Sequence, residues 1–124
     1  MKHILIVDDA ATVRLYHRNI LESAGYAVEE AVNGIEALEK ALQTPFDLYV
    51  VDVNMPKLDG YGFLKELRGQ EIAQAPAFMV STEADANDRQ QAYRAGANLY
   101  LIKPVKPERL LTYVHLLLEE EART

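Results

Sequence analysis

The stretch FDLYVVDVNMPKLDG, Phe46 to Gly60, decides how the rest of the chain is read. Its apolar run, Leu48 to Val51, stops at a single carboxylate, Asp52, before Asn54-Met55-Pro56 and a second break at Asp59-Gly60. Four apolar residues without polar alternation are the pattern of a strand covered on both faces, as in a parallel sheet. Such a strand has no evident reason to end on an acid. The explanation has to come from what stands at the ends of the other strands.

Working outward, four more short segments read as strands: HILIV (3–7), AVEEA (27–31), AFMVS (77–81) and LYLI (99–102), with DLYVV (47–51) as the third in chain order. The second carries Glu29 and Glu30 and suits an edge position. Helical periodicity fills the intervals. Val13, Tyr16, Ile20 and Ala24 predict one buried stripe, and Ile35, Leu38 and Leu42 a second. Phe63, Leu64 and Leu67 predict a third, and Leu110, Leu111, Val114, Leu117 and Leu118 the last. Gly25 is placed to end the first helix, Asp59 and Asp85 to cap two others, and Pro107 to open the fifth. Residues 85–95, DANDRQQAYRA, have mainly Ala92, Ala95 and Tyr93 to bury, so this helix should be the least firmly anchored. Strict alternation without linker or repeat predicts one α/β domain over residues 1–124, a (βα)5 parallel sheet with right-handed crossovers.

Composition narrows the function. At 49% hydrophobic and 26% charged, the chain has the balance of a soluble globular protein. No apolar run approaches the ~20 residues of a membrane span. MKHILIVDD reaches two acids too early for a secretory h-region of about 7–15 residues. The expectation is a cytoplasmic protein without membrane association. There is no cysteine for a disulfide or a thiol nucleophile, and His3, His17 and His115 lack zinc-ligand spacing. A net charge of −6 argues against a nucleic-acid partner.

The carboxyl ends of the predicted strands carry Asp8 and Asp9, then Asp52, then Ser81 and Thr82, then Lys103 with Pro104. Open α/β sheets bind ligands at those ends, where the strand order reverses. Taken singly, Asp9 ahead of AATVRL reads as a helix cap, Ser81-Thr82 as another, and Lys103-Pro104 as a turn. Their joint placement on four strands reverses that reading. Two like charges 4 Å apart repel by about 4 kcal/mol at an effective dielectric of ~20. Three carboxylates in one cleft therefore call for a hard cation, Mg²⁺ or Mn²⁺. Lys103 would meet an anion entering the cleft, and Ser81 would donate to its oxygen. These are the parts phosphoryl transfer requires, with Asp52 as the nucleophile.

With ILIVDD, YVVDVNMPKLDG, MVSTE and GANLYLIKP in this order, the whole chain resembles the receiver domain of bacterial two-component response regulators. The resemblance implies a flavodoxin-like sheet of order 2-1-3-4-5 and Asp52 as phosphoacceptor. Asp8, Asp9 and Asp52 would hold Mg²⁺ together with the Asn54 backbone carbonyl. Lys103 would pair with the phosphoryl group, before a cis bond to Pro104. Ser81 would be the switch hydroxyl, and Tyr100 the aromatic that turns inward as that hydroxyl moves. Without the family, Tyr100 reads as a half-buried strand aromatic with its hydroxyl in water. Arg14, Arg18 and Asn19 in the first helix, with Asn54 and Glu83, resemble the stand-alone chemotaxis regulators. In those proteins the last two positions modulate how quickly the phosphoryl group is lost. Ser81 stands where threonine is commoner, and Ala10 and Val53 replace bulkier residues.

The implied function is a phosphorylation-activated switch that catalyses its own phosphorylation and dephosphorylation and is not otherwise an enzyme. A histidine kinase would be the donor, and a downstream protein would bind the 85–119 face. The protein would be a monomer when unphosphorylated, acting in chemotaxis or motility signalling. Alternatives are a Mg²⁺-dependent phosphohydrolase using Asp52-x-Asn54, a flavodoxin-like nucleotide-binding module, and a scaffold that is not phosphorylated. The first lacks a second acid at Asn54, the second a phosphate loop in DDAAT, and the complete acid, hydroxyl and amine set opposes the third.

Overall fold

The computed structural model describes residues 1–122, with side chains described as far as Leu118. Five strands alternate with five helices: β1 (His3–Val7), α1 (Ala11–Ser23), β2 (Ala27–Ala31), α2 (Gly34–Gln43), β3 (Leu48–Asp52), α3 (Gly60–Arg68), β4 (Ala77–Ser81), α4 (Ala86–Ala95), β5 (Leu99–Ile102) and α5 (Pro107–Ala122). The strands are parallel and lie in the order β2-β1-β3-β4-β5, so the order reverses beside β1 and β3. No helix among the described residues is long and apolar enough to cross a membrane.

Side chains alternate across each strand, and both faces are filled. Leu5, Val7, Tyr49, Val51 and Met79 point to the side of α2, α3 and α4. Ile4, Ile6, Leu48, Val50, Phe78 and Val80 point to the other side, against Leu21 of α1 and Leu110, Val114 and Leu118 of α5. This two-sided burial is why β3 and β4 carry no alternating polar residue. The polar strand β2 lies at the edge, as its glutamates predict.

Several local expectations need correction. The third strand spans 48–52, not 47–51, so Asp52 is the last paired residue of the strand, opposite Val80. In α1 the buried residues are His17 and Leu21; of the expected stripe Ile20 packs against the same core, Tyr16 is 40% exposed with its hydroxyl donating to the Val105 carbonyl, and Ala24 is the C-cap. In α2 the buried residues are Gly34, Ala37 and Ala41; of the expected stripe Leu38 packs against the same core, whereas Ile35 and Leu42 are exposed. Both helices carry two adjacent stripes that satisfy the helical period. The stripe of small residues lets α2 approach the sheet closely, which apolar periodicity alone does not register. In α4, Ala92 and Ala95 are buried but Tyr93 is 47% exposed. Asn33, which had no assigned role, caps α2 by accepting from the Glu36 amide at 2.8 Å. Asp59 and Asp85 cap α3 and α4 as expected, and Gly25 follows α1 at φ +94°.

The aromatic column Phe46–Tyr49–Phe63 joins β3 to α3 through edge-on contacts, and Phe63 is fully buried. Phe63→Ala is expected to lower unfolding stability by about 3–5 kcal/mol in urea titrations. Leu15→Ala on the exposed side of α1 should change it by less than about 0.5 kcal/mol.

Candidate phosphorylation site

The reversal of strand order places the ends of β1 and β3 side by side, and polar groups gather there, one of them reaching across the end of β4 from beyond β5. Lys103, just past β5, bridges two acids: its Nζ donates to Asp52 Oδ1 at 2.7 Å and to Asp8 Oδ2 at 3.0 Å. The other oxygen of Asp8 accepts from the Ala10 amide at 2.9 Å. Asp8 is buried and Asp52 is 8% exposed, whereas Asp9 is open to solvent. One carboxylate oxygen from each of Asp8, Asp9 and Asp52 lies within 4.8 Å of the others.

Asp9 does not cap α1. The N-cap is Ala10, which makes no side-chain hydrogen bond. The Lys103–Pro104 bond is cis, as expected, and the Lys103 amide donates to the Ser81 carbonyl at 2.8 Å, tying β5 to β4. Gly60 brings α3 against the end of β3. Its amide donates to the Val53 carbonyl at 2.9 Å, and a Cβ there would sit 2.3 Å from the Asp52 carbonyl oxygen. Only glycine permits that approach.

The titration of Asp52 and Lys103 follows from their burial and from the charges packed beside them. Burial pushes the Asp52 carboxyl above its ordinary value of 3.8, the hydrogen bond from Lys103 opposes this, and Asp8 and Asp9 add to the rise. Burial alone would lower Lys103, but its hydrogen bonds to Asp52 and Asp8 prevail and raise it above 10.5. A divalent cation would relieve the same repulsion. Three converging carboxylate oxygens beside an exposed, hydratable Asp9 fit a small hard ion.

Ser81 is buried at the end of β4, and its Oγ accepts from the Glu83 amide at 3.0 Å. The Glu83 carbonyl in turn accepts from the Tyr100 hydroxyl at 2.7 Å. Tyr100 is 4% exposed, so the reading of a half-buried ring with its hydroxyl in water is overturned. The Arg89 guanidinium lies 5.2 Å from the centre of its ring. The main chain of Glu83 thus connects Ser81 to Tyr100, while the Glu83 side chain is exposed, as is Asn54 in the loop after β3. No residue pattern announced this link, because backbone groups carry it. His17 is a second residue the sequence reading passed over. It is 3% exposed, its Nδ1 has no hydrogen-bond partner among the described residues, and burial lowers its pKa. It lines a cavity of about 300 Å³ with Thr12, Val13 and Tyr16 beside Lys103.

The sequence profile of the response regulator receiver domain matches residues 4–115. The chain belongs to this family. The receiver is 36% identical over 121 residues to the transcriptional regulatory protein ResD of Bacillus subtilis, covering 98% of this chain and 50% of ResD. It spans about half or less of the curated relatives it matches, only 9% in the case of the sensor protein EvgS of Escherichia coli. Among solved structures it resembles the chemotaxis protein CheY4 of Vibrio cholerae, 39% identical with a TM-score of 0.89, covering 95% of this chain and 99% of that one. It also resembles the receiver of the sensor histidine kinase PA1611 of Pseudomonas aeruginosa, whose structure has a magnesium ion coordinated in its active-site cleft. That match is 31% identical with a TM-score of 0.88, covering 95% of this chain and 98% of that one. The sheet order 2-1-3-4-5 is that of a flavodoxin-like fold.

Because folding raises the Asp52 pKa, its protonated form favours the native state fully below pH 3.8. That contribution is lost as pH rises through the folded value. Asp52→Asn is therefore expected to raise the urea midpoint at pH 7. The advantage should shrink as pH falls toward 3.8, as followed by circular dichroism. An advantage independent of pH would contradict this electrostatic account.

Proposed function

We propose that the receiver domain extends over residues 1–124 and acts as a stand-alone regulator whose Asp52 accepts a phosphoryl group from a histidine kinase. One observation carries this reading: the Lys103 ammonium held between Asp52 and Asp8, with a third carboxylate, Asp9, in the same cleft. An Asp52 carboxylate oxygen attacks phosphorus, the P–N bond to the kinase histidine breaks, and an acyl phosphate forms on Asp52. Asp8, Asp9, Asp52 and the Asn54 backbone carbonyl would hold Mg²⁺, or Mn²⁺ in its place. Bound there, the ion supplies neutralisation of the phosphoryl oxygens. Lys103, already 2.7 Å from Asp52, stays near enough to pair with the new dianion. The same groups serve when water attacks and releases phosphate, with Asn54 and Glu83 flanking the path and setting its rate.

Ser81 is the switch hydroxyl in this reading. On turning to donate to the phosphoryl group, it gives up the Glu83 amide and draws on the segment that holds Tyr100. The readout face is α4, β5 and α5, residues 85–119, of which the Glu119 side chain lies outside the described residues. Helix α4 buries two alanines and little else, which supports its use as the movable element. A downstream protein would bind this face, in chemotaxis or motility signalling by likeness to CheY4. We place the protein in the cytoplasm, as a monomer before phosphorylation. The phosphohydrolase alternative finds no second acid at the exposed Asn54.

Intact-mass measurement after incubation with acetyl phosphate tests the chemistry. The expected result is a gain of one phosphoryl group that requires Mg²⁺ and is absent from Asp52→Asn. A folded, metal-binding protein that gains nothing from this donor or from a kinase would be the silent scaffold instead. Tyr100→Phe should leave this gain intact while lowering stability by about 1 kcal/mol, through loss of the bond to Glu83.

A further inference from the structure

Of Arg14 and Arg18, noted in the first helix for their likeness to chemotaxis regulators, Arg14 turns towards the acid pair and Arg18 meets it at a shared partner, Glu30. The Arg14 Nη1 donates to the backbone carbonyl of Asp8 at 2.8 Å, and its Nε donates to Glu30 Oε1 at 2.7 Å. The second oxygen of Glu30 accepts from Arg18, whose Nη2 also reaches the Val28 carbonyl at 3.2 Å. Lys40 of α2 donates to the Glu30 carbonyl at 2.6 Å. Arg14 and Glu30 are 15% and 27% exposed, so water competes weakly for these bonds. Burial alone would raise the Glu30 carboxyl, but the hydrogen bonds from Arg18 and Arg14 hold it below its ordinary value.

The carbonyl that Arg14 holds belongs to the peptide joining Asp8 to Asp9. The Asp8 side chain is fixed separately, by the Ala10 amide and Lys103. Asp9 is exposed and makes no hydrogen bond or ion pair among the described residues. Its direction into the cleft therefore depends on the orientation of its own backbone. Turning the Asp8–Asp9 peptide would swing that carboxylate out of the 4.8 Å cluster.

We propose that Arg14, anchored by Glu30 on the edge strand, is a positioning residue that sets the divalent-cation affinity of the acid cluster. The inference rests on the metal reading given above and adds a requirement to it. Charge and position act in opposite directions here. Removing a cation near three carboxylates should tighten metal binding by electrostatics alone, whereas releasing the peptide should weaken it by costing one ligand its preorganised place.

Mn²⁺ binding measured by electron paramagnetic resonance, without any phosphodonor, tests this. Arg14→Ala and Glu30→Ala are each expected to raise the Mn²⁺ Kd roughly tenfold, the low end for groups that orient ligands. The double variant should be little worse than either single one, because the two act as a unit. Arg14→Lys keeps the charge but cannot donate to both partners in the forked geometry, so it should also weaken binding. Urea midpoints are measured alongside, and Arg14→Lys with Glu30→Gln provide milder variants should the alanine variants fail to fold. An unchanged or tighter Kd in folded Arg14 variants, with only the midpoint lowered, would assign Arg14 a purely structural role and overturn the proposal. A wild-type protein that binds no Mn²⁺ would instead remove the metal reading and this inference with it.

Discussion

Three carboxylates brought together at the carboxyl edge of one sheet are the constraint on which the rest of the site depends. Asp8, Asp9 and Asp52 come from the ends of two adjacent strands, and their repulsion is offset on the protein side by the Lys103 ammonium. That ammonium arrives from a third strand end, held by the bond from its amide to the Ser81 carbonyl. The site is thus a compromise between packing, which buries Asp8 and Asp52, and the cost of ionising Asp52, which that burial raises. An unfavourable arrangement of this kind persists when the scaffold around it is firmly built.

The scaffold meets that requirement through two-sided burial. The inner strands β1, β3 and β4 are covered on both faces, and their side chains interlock with α1 and α5 on one side and α2, α3 and α4 on the other. Helix α3 is pressed against the end of β3 at Gly60, so the Asp52 backbone has little freedom. Helix α4 is the exception, with a polar sequence and two buried alanines. The firm elements hold the acids, and the lightly held one stands next to Tyr100. The firmly held acids and the lightly anchored helix are thus supplied by different parts of one core.

The response regulator receiver family accounts for this division of labour, and the particular residues refine it. Glu83 contributes through its main chain, linking Ser81 to Tyr100 by two hydrogen bonds. His17, buried beside Lys103, shows that a histidine without metal-ligand spacing is not thereby inert in the packing. Arg14 and Arg18 show the same of a charged helix face. Both pair with Glu30, and the cluster closes the gap between α1 and the edge strand.

Much of the fold was legible because its signals are local. Apolar runs, helical spacing and Gly, Pro and Asp punctuation placed four of five strands at their observed bounds, and β3 a single residue out of place. The acids, hydroxyl and amine were legible because they fall at strand ends, where a parallel sheet brings distant segments together. The buried faces of α1 and α2 were legible only as far as Ile20 and Leu38, since two neighbouring stripes on each helix satisfy the same period and only contact with the sheet chooses between them. The Glu83 link, the Gly60 contact and the Arg14 bond to Asp8 were also beyond reach, because each uses a backbone atom, and every residue has the same ones. The sequence by itself determined which elements form and which chemical groups the site contains, through period and polarity along the chain. The tertiary structure alone decided how those groups are aimed, because aim depends on contacts between residues far apart in sequence.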